Sequence, residues 1–323
     1  MNNKRKKILI LCGPTAVGKT ELSLQISELF SCEIVGVDSM QVYRYMDIGT
    51  AKPTPAERAR IIHYLIDIAD PDENYTLGRF VKDANEAIRT IDSHKSIPLL
   101  AGGTGLYFKG LFEGLFDENS IAGENDSGGR QEKIKSPKET LRKRLHAKGN
   151  EVLYRELGEV DPDSAKRIHP NDTQRLRRAL EIFYSTGIPW SQHLKNQRKK
   201  TPQYQALKIG LTRPRKDLYA RIDRRVRLMA EQGLLAEVEK LLAMGYDKEL
   251  KAMQSIGYRH MLNFLNGNWT WEQTLEKLAR DTRHYAKRQY TWFNNDPEIL
   301  WHDVLEKDTI FKDIENFLKQ ENP

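Results

Sequence analysis

A short apolar segment followed by a glycine-bounded loop is the feature that most constrains how this chain folds. Residues 6–13 read KKILILCG, which predicts a buried strand ending in a turn, and residues 20–30 carry apolar side chains at helical spacing. Between them, Gly13 to Thr20 (GPTAVGKT) matches the pattern GxxxxGK[ST]. Backbone N–H groups of such a loop, with the start of the next helix, form a concave anion site. The segment therefore predicts binding of a di- or triphosphate.

The loop residues have separate predicted roles. Lys19 adds a cation for the phosphates, and the hydroxyl of Thr20 can bind Mg²⁺, which is the one predicted cofactor. The predicted diphosphate- or nucleotide-binding residues are Gly13, Pro14, Thr15, Ala16, Val17, Gly18, Lys19 and Thr20. The pattern leaves open whether the phosphates are hydrolysed, transferred or released.

Two more strands continue the alternation of strand and helix. Residues 33–38 (EIVGVD) predict a second strand, residues 77–92 an amphipathic helix, and residues 97–103 (IPLLAGG) a third buried strand. Strands that alternate with helices form a parallel sheet covered on both faces. The predicted fold class is therefore α/β, with a P-loop NTPase-like parallel sheet.

The pattern changes after residue 114. Residues 117–137 are polar and rich in glycine and serine, which predicts a flexible loop, and residues 138–194 are helical in pattern. Strand character returns at 206–211, and a long helix is predicted over 216–244, with further helices to about 293. We therefore predict a catalytic core of residues 1–114 and 201–323, interrupted by a helical insertion domain of residues 115–200.

Composition narrows the location and the partners. The 323 residues contain no apolar run near the ~18 residues that a membrane helix needs, so a cytoplasmic protein with no membrane partner is expected. The only cysteines, Cys12 and Cys32, lie in no metal-ligand pattern. The net charge of +7 permits a polyanionic partner without requiring one.

Asp38 ends the second predicted strand, at the sheet edge where the phosphate loop also lies. A carboxylate there could accept a proton from a nucleophile or hold Mg²⁺. Alternatively, Asp38-Ser39 could cap the start of a helix. The residues alone leave both interpretations open.

Longer motifs resemble those of one enzyme family. DSMQVYR (38–44) and MDIGTAKP (46–53) follow the phosphate loop. Further along the chain come LIDIADPDENYT (65–76), AGGTGLY (101–107), IHPNDTQRLRRALE (168–181), IGY (256–258) and YAKRQYTWF (285–293). In this order they resemble the bacterial tRNA dimethylallyltransferases, also called tRNA isopentenyltransferases, over nearly the whole chain.

The resemblance implies an activity and its partners. Members of the family transfer a dimethylallyl group from dimethylallyl diphosphate to N6 of the adenosine immediately 3′ of the anticodon, and release diphosphate. The implied partners are therefore dimethylallyl diphosphate and the anticodon stem-loop of tRNA. The insertion would then act as a clamp on the anticodon arm, hinged near 115–137 and 200. A monomer is expected.

The resemblance also assigns catalytic residues. Asp38 would be the base facing N6, Thr104 would touch the nucleic acid or the reacting amine, and Arg221, rather than Arg225, would grip the diphosphate. Without the family, the sequence around Thr104 favours a tight glycine turn over a functional role. Arg221 could likewise form an exposed ion pair with Asp217.

The implied tRNA-binding residues fall in four segments. They are Asp38, Ser39, Met40, Gln41, Thr104, Gln174, Arg175, Leu176, Arg177, Arg178, Arg283, Lys287 and Arg288. From the residues alone, the segment 174–178 also fits an ordinary solvated basic helix. The aromatic residues of 285–293 could stack on bases or belong to the core.

Some residues depart from the family, and other functions compete. Tyr45 stands where the family usually has glycine, Tyr64 replaces a common histidine, and Arg259-His260 departs from the usual residues after IGY. The competing functions are a small-molecule or nucleotide kinase, a relative that prenylates free adenine nucleotides, and a non-catalytic RNA-binding NTPase.

Overall fold

The computed structural model describes residues 5–114, 137–197 and 204–320. Contacts divide the chain into two compact units, one of residues 1–112 with 202–323 and one of residues 113–201. The predicted insertion boundaries at 115 and 200 lie outside the described residues, as does all but the last residue of the predicted loop over 117–137.

A six-stranded sheet forms the centre of the larger unit, and its strand order is β3-β2-β4-β1-β5-β6. Every pair of neighbouring strands is parallel, as predicted. The strands are β1 (Lys6–Cys12), β2 (Cys32–Val37), β3 (His63–Tyr64), β4 (Ile97–Gly102), β5 (Tyr204–Thr212) and β6 (Ile299–Asp303). The α/β fold with a P-loop-like parallel sheet is therefore confirmed.

The register of three strands aligns their carboxyl ends. Gly102 at the end of β4 pairs with Cys12 at the end of β1 and with Val37 at the end of β2. The residues that follow these three strand ends therefore meet at one edge of the sheet, where open α/β sheets bind ligands.

Helices cover the sheet and make up the second unit. In the larger unit the first four are α1 (Lys19–Phe30), α2 (Pro55–Arg60), α3 (Leu77–Ser93) and α4 (Gly105–Glu113). The second unit contains α5 (Pro137–His146), α6 (Asn150–Val160), α7 (Pro162–Arg167), α8 (Thr173–Thr186) and α9 (Trp190–Gln197). The larger unit ends with α10 (Arg215–Glu231), α11 (Leu234–Ala243), α12 (Tyr258–Leu265), α13 (Trp271–Phe293) and α14 (Lys307–Lys319).

The carboxyl-terminal part differs from the prediction in two ways. The single helix predicted over 216–244 is wrong, because Gly233 has a φ of 97° and the chain starts a new helix, α11, after it. Beyond residue 293, β6 adds an edge strand beside β5, and α14 packs its buried Ile310 and Ile314 in the same core as α1. The sequence reasoning did not predict these last two elements.

Two apolar cores lie in the larger unit. One joins β1 and β4 to α3, α11 and α12, and the other joins the sheet to α1 and α14. The predicted apolar face of α10 reaches both, since Leu218 and Ile222 lie in the second core and Val226 in the first. This double anchoring fixes the arginines on the other face of α10 relative to β1.

The second unit has a small core of its own, made by α5 to α8. Asp161 is buried and accepts hydrogen bonds from the backbone N–H of Ser164 (3.1 Å) and of Ser191 (2.9 Å). Pro162 then starts α7, as is common at the first helical position. The helical pattern predicted for 138–194 is what the described residues of this unit show.

None of the described helices is long and apolar enough to span a bilayer.

Candidate diphosphate and acceptor site

The phosphate loop lies at the end of β1 and leads into α1. The side chain of Lys19 folds back over the loop, and its Nζ donates to the carbonyl oxygens of Gly13 (2.8 Å) and Pro14 (2.7 Å). Burial and then the charge of Arg225 lower the pKa of Lys19, the charge of Asp38 opposes both, and the resulting pKa is about 8. Lys19 is thus a partly buried cation with neutral partners in this loop.

Two arginines of α10 approach the same loop. Arg221 donates from Nε to the carbonyl oxygen of Ala16 (3.0 Å), and Arg225 donates from Nη1 to the hydroxyl of Thr15 (3.2 Å). The ion pair considered between Arg221 and Asp217 is not what forms. Both arginines therefore contact the phosphate loop from α10. The structure does not favour Arg221 over Arg225 as the residue that binds diphosphate.

Arg213 forms a third contact, from the end of β5. Its Nε donates to the carbonyl oxygen of Val17 (2.7 Å), and its Nη1 pairs with Asp217 (2.8 Å). Since a carboxylate already neutralises Arg213, we assign it to the support of the loop. Arg213 was not among the predicted site residues.

The remaining charge at the loop is positive and largely desolvated. Among the described residues, no carboxylate lies within 4.0 Å of the charged groups of Lys19, Arg221 or Arg225. Burial, and then the charge of Arg221, lowers the pKa of Arg225. Buried cations without carboxylate partners are costly. A polyanion bound in the loop would compensate that cost.

Asp38 follows β2 and stabilises a turn. Its Oδ1 accepts hydrogen bonds from the backbone N–H groups of Met40 (2.8 Å) and Gln41 (3.2 Å). The alternative of a helix cap is wrong, since the next helix, α2, begins only at Pro55. The charge of Asp38 raises the pKa of Lys19 against the effect of burial. The carboxylate and the anion site thus interact electrostatically.

Thr104 is bonded to the turn that contains Asp38. Its hydroxyl accepts from the backbone N–H of Ser39 (3.2 Å), and the N–H groups of Gly103 and Thr104 both donate to the carbonyl oxygen of Val37 (3.2 Å each). The glycine-turn interpretation also describes the local geometry, because a Cβ on Gly102 would lie 2.1 Å from that carbonyl oxygen. The predicted site residues Asp38 and Thr104 are therefore adjacent.

One face of α13 closes the other side of this edge. The side chain of Tyr285 lies beside Thr104, and burial, then the charge of Asp38, raises the pKa of Tyr285. One turn later, the buried side chain of Gln289 bonds both Thr15 and Gly103. Sequence reasoning missed Gln289; a polar residue at helical spacing among YAKRQYTWF was the available signal.

The motif MDIGTAKP forms a loop that Glu237 of α11 holds. The carboxylate of Glu237 accepts from the backbone N–H groups of Asp47 (2.9 Å), Ile48 (2.8 Å) and Gly49 (3.1 Å), and from the hydroxyl of Tyr258 (2.6 Å). The tyrosine of the IGY motif thus supports this loop. Sequence reasoning gave neither Glu237 nor Tyr258 this role.

Lys52 fastens the other end of the same loop. Its side chain is 1% exposed, and Nζ pairs with Asp47 and Asp67 at 2.6 Å each. Gln41, predicted to contact tRNA, donates its amide to the carbonyl oxygens of Thr50 (3.1 Å) and Ala51 (3.2 Å). The loop that carries Ser39 to Gln41 is therefore held in one conformation.

Two departures from the family have visible consequences. Tyr45 has a φ of 66°, in the left-handed region that favours glycine, and its ring lies against Tyr246 with centroids 6.4 Å apart. Tyr64 donates its hydroxyl to the buried Glu33 (2.7 Å). Both substitutions lie outside the anion site.

The other predicted tRNA-binding residues lie on two helices. In the larger unit, Arg283 pairs with Asp223, while Lys287 and Arg288 are exposed on α13. In the second unit, Gln174, Arg175, Arg177 and Arg178 lie on α8. Leu176 is fully buried in the core of that unit. Any contact of this residue with RNA would therefore have to be made by its backbone.

The residues at Thr20 fit a weakly held divalent cation. Thr20 follows Lys19 in the first turn of α1, and Mg²⁺ typically takes one or two protein oxygens, with substrate phosphates and water completing its shell. The described residues contain no group of three or more His, Cys, Asp or Glu side chains that could hold a metal without a substrate. A Mg²⁺ ion at this position would therefore depend on the bound phosphates.

Taken together, the parallel sheet, the phosphate loop and the carboxylate at the neighbouring strand end define a class: a P-loop-type enzyme whose anion site adjoins a second, acidic site. Comparison with known proteins narrows the class. The family profile described as IPP transferase matches residues 41–296, and a second, described as isopentenyl transferase, matches residues 6–69. This chain belongs to the IPP transferase family.

Named relatives are similar to this chain over almost its full length. The tRNA dimethylallyltransferase of Desulfosudis oleivorans is 49% identical over 94% of this chain and 92% of its own. The crystal structure of the tRNA delta(2)-isopentenylpyrophosphate transferase of Staphylococcus epidermidis superposes with a TM-score of 0.68 at 36% identity, covering 97% of this chain and 99% of that one. A eukaryotic dimethylallyltransferase whose crystal structures show it acting on tRNA gives 0.81 at 30% identity, covering 98% of this chain and 82% of that one.

Proposed function

We propose that this protein transfers a dimethylallyl group from dimethylallyl diphosphate to N6 of the adenosine 3′ of the anticodon in tRNA, and releases diphosphate. One observation carries the proposal: a loop whose partly buried cations have no carboxylate partner is in register with the ends of β2 and β4, which Asp38 and Thr104 follow. The names of the relatives point to the same reaction.

The anion site suits a leaving group. Breaking the allylic C–O bond places negative charge on the departing diphosphate, and preorganised donors at that position lower the barrier. Lys19, Arg221, Arg225 and the loop N–H groups would supply them. Mg²⁺, when bound beside Thr20, would neutralise part of the diphosphate charge. The same loop therefore serves release of diphosphate without transfer of a phosphoryl group.

The acidic site suits an amine acceptor. N6 of adenine is a weak nucleophile, and its attack on the allylic carbon leaves a proton that must be removed. We assign that proton to Asp38, one of whose oxygens is occupied by the turn that orients it. Thr104, which accepts from the backbone N–H of Ser39 and lies beside Tyr285, would orient the amine. The base must leave its stack to reach these groups.

The proposed binding of tRNA depends on basic residues of both units. Arg175, Arg177 and Arg178 in the second unit and Lys287 and Arg288 in the larger unit would neutralise phosphates of the anticodon arm. A kinase is not favoured, because the relatives named above are transferases of a prenyl group. We also propose that the protein acts as a monomer.

One incubation tests the function. The protein is mixed with dimethylallyl diphosphate, Mg²⁺ and unmodified bulk tRNA, and the digested nucleosides are analysed by mass. We expect N6-dimethylallyladenosine in the tRNA digest, and no prenylated nucleoside when free AMP replaces tRNA. Prenylated AMP would indicate the nucleotide-prenylating alternative. Transfer of the γ-phosphate of labelled ATP, with no prenylated product, would indicate a kinase.

A further inference from the structure

Gln289 joins the two halves of the proposed site through a single amide. Its Oε1 accepts from the backbone N–H of Thr15 (2.8 Å), and its Nε2 donates to the carbonyl oxygen of Gly103 (2.9 Å). The residue is 6% exposed. It therefore connects the phosphate loop after β1 with the glycine loop after β4.

The two contacts require an amide at this position. A backbone N–H can only donate and a carbonyl oxygen can only accept, so the orientation of the amide is fixed. A carboxylate would accept from Thr15 but could not donate to Gly103. The fit is also tight, because a Cβ on Gly103 would lie 2.1 Å from Nε2. Few other side chains could replace both contacts.

Each partner of Gln289 continues into one of the two proposed subsites. The hydroxyl of Thr15 accepts from Arg225, which faces the anion site. Gly103 is followed by Thr104, whose hydroxyl accepts from Ser39 next to Asp38. A displacement of either loop would change the distance between the diphosphate and the acceptor amine.

We propose that Gln289 is a positioning residue that fixes the alignment of the phosphate loop with the Asp38–Thr104 edge, and so places the allylic carbon in line with N6. This inference depends on the proposed function for its chemistry. Gln289 acts through Thr15 and Gly103, and contact with a substrate is not required. Its effect is therefore expected on the transfer step more than on the binding of either substrate.

The test replaces Gln289 by methionine, which has similar length and neither polar group. Misalignment by about 1 Å costs on the order of 100-fold in rate. We therefore expect Gln289→Met to lower kcat for prenyl transfer by about 10- to 100-fold. The KM values for dimethylallyl diphosphate and tRNA should change by less than about threefold, because the groups that hold each substrate remain.

A matched control lies on the same helix. Gln273 accepts from the backbone N–H of Thr270 in the capping box at the start of α13. Gln273→Met removes a glutamine hydrogen bond of α13 away from both loops, and we expect its kcat to stay within about twofold of wild type. Equal losses of kcat in the two variants would show that Gln289 only stabilises the helix, and would overturn the proposal.

A product ratio separates alignment from general damage. When N6 is misaligned, water can attack the allylic carbon. The C–O bond to diphosphate breaks, a C–O bond to water forms, and the proton goes to solvent. We expect Gln289→Met to release more dimethylallyl alcohol per transferred group than wild type. An unchanged ratio with intact kcat would contradict the positioning role.

A last measurement does not depend on the transfer reaction. Hydrogen exchange of the peptide covering residues 101–107 is followed with and without inorganic diphosphate. Binding at the phosphate loop should slow exchange there in wild type and not in Gln289→Met. If wild type forms no prenylated nucleoside, the proposed function fails, and this exchange experiment still decides whether Gln289 couples the loops. Gln289→Asn, which keeps the amide but is too short to bridge, replaces methionine if that variant does not fold.

Discussion

The cations of the two units differ in their partners and in their exposure to solvent. In the phosphate loop, Lys19, Arg221 and Arg225 donate to backbone carbonyls or to a hydroxyl. In the second unit, Lys195 pairs with Asp163 while both side chains stay more than half exposed, and Arg175 lies 3.4 Å from Asp172 at 60% exposure. A partly buried cation without a counter-ion has a large effect on binding an anion, whereas an exposed, paired one contributes little. The comparison predicts where substitutions are costly.

The largest effect is expected at Asp38, the carboxylate that follows the neighbouring strand. Asp38→Asn keeps an acceptor for the turn at residues 40 and 41 and removes the base. General bases contribute about 100- to 10,000-fold, so we expect kcat to fall in that range, with tRNA affinity mostly retained. Single-turnover kinetics with unmodified tRNA measure it. Asp72→Asn, at an exposed position, is the control and should be close to wild type.

The next largest effect concerns binding of diphosphate. Lys19→Ala removes a charge-assisted donor, worth on the order of 1.5–3 kcal/mol, and should weaken binding of dimethylallyl diphosphate about 10- to 100-fold. Calorimetry gives the Kd. Lys195→Ala in the second unit is the matched control, with an expected change below about twofold. Similar losses from the two lysines would contradict the comparison.

The third prediction is a pH dependence of the same binding. The pKa of Lys19 is lowered to about 8, chiefly by burial. The protonated form binds the anion, and the ester phosphates are fully ionised above about pH 6 to 7. Affinity should therefore be highest near pH 7 and fall as the pH rises through 8, to about tenfold weaker at pH 9.

Proton uptake gives an independent check of this pH dependence. At pH 8 about half of Lys19 is already protonated, so binding should take up about half a proton, which calorimetry detects as a heat that depends on the buffer. In Lys19→Ala both the uptake and the pH dependence should be absent. A flat profile in wild type would assign the recognition of the anion to the arginines alone.

Local patterns allowed some parts of this site to be predicted from the sequence and not others. The phosphate loop was predictable because its motif follows a strand, and the same pattern placed Asp38 at the end of the next strand, but only the family resemblance assigned Asp38 a role. Gln289 and Glu237 were not, because their roles depend on contacts between residues far apart in the chain, such as Gln289 with Thr15. Gly233 could have indicated the break between α10 and α11, but isolated glycines are tolerated in helices.

The same limit applies to the choice between arginines. Arg221 and Arg225 are four residues apart on α10, so helical periodicity places both on one face. Only the packing of Leu218, Ile222 and Val226 determines how α10 meets the phosphate loop. The structure consequently brings both guanidinium groups to the loop, and the preference for one of them had no basis in the pattern.

The smallest effect is expected in the second unit, where it also tests the proposed contact with RNA. Arg175→Ala removes an exposed guanidinium, while Asp172 still accepts from the backbone N–H of residue 175. The free energy of unfolding should change by less than about 0.5 kcal/mol. If Arg175 contacts a phosphate, tRNA affinity falls a few-fold at low salt, and the slope of log K against log salt becomes shallower by about 1. Lys195→Ala, in the same unit but outside the predicted contact residues, should leave that slope unchanged. A loss of tRNA affinity that does not depend on salt would mean that Arg175 shapes α8 instead of contacting RNA, and would return this helix to the ordinary solvated surface that its sequence also allows.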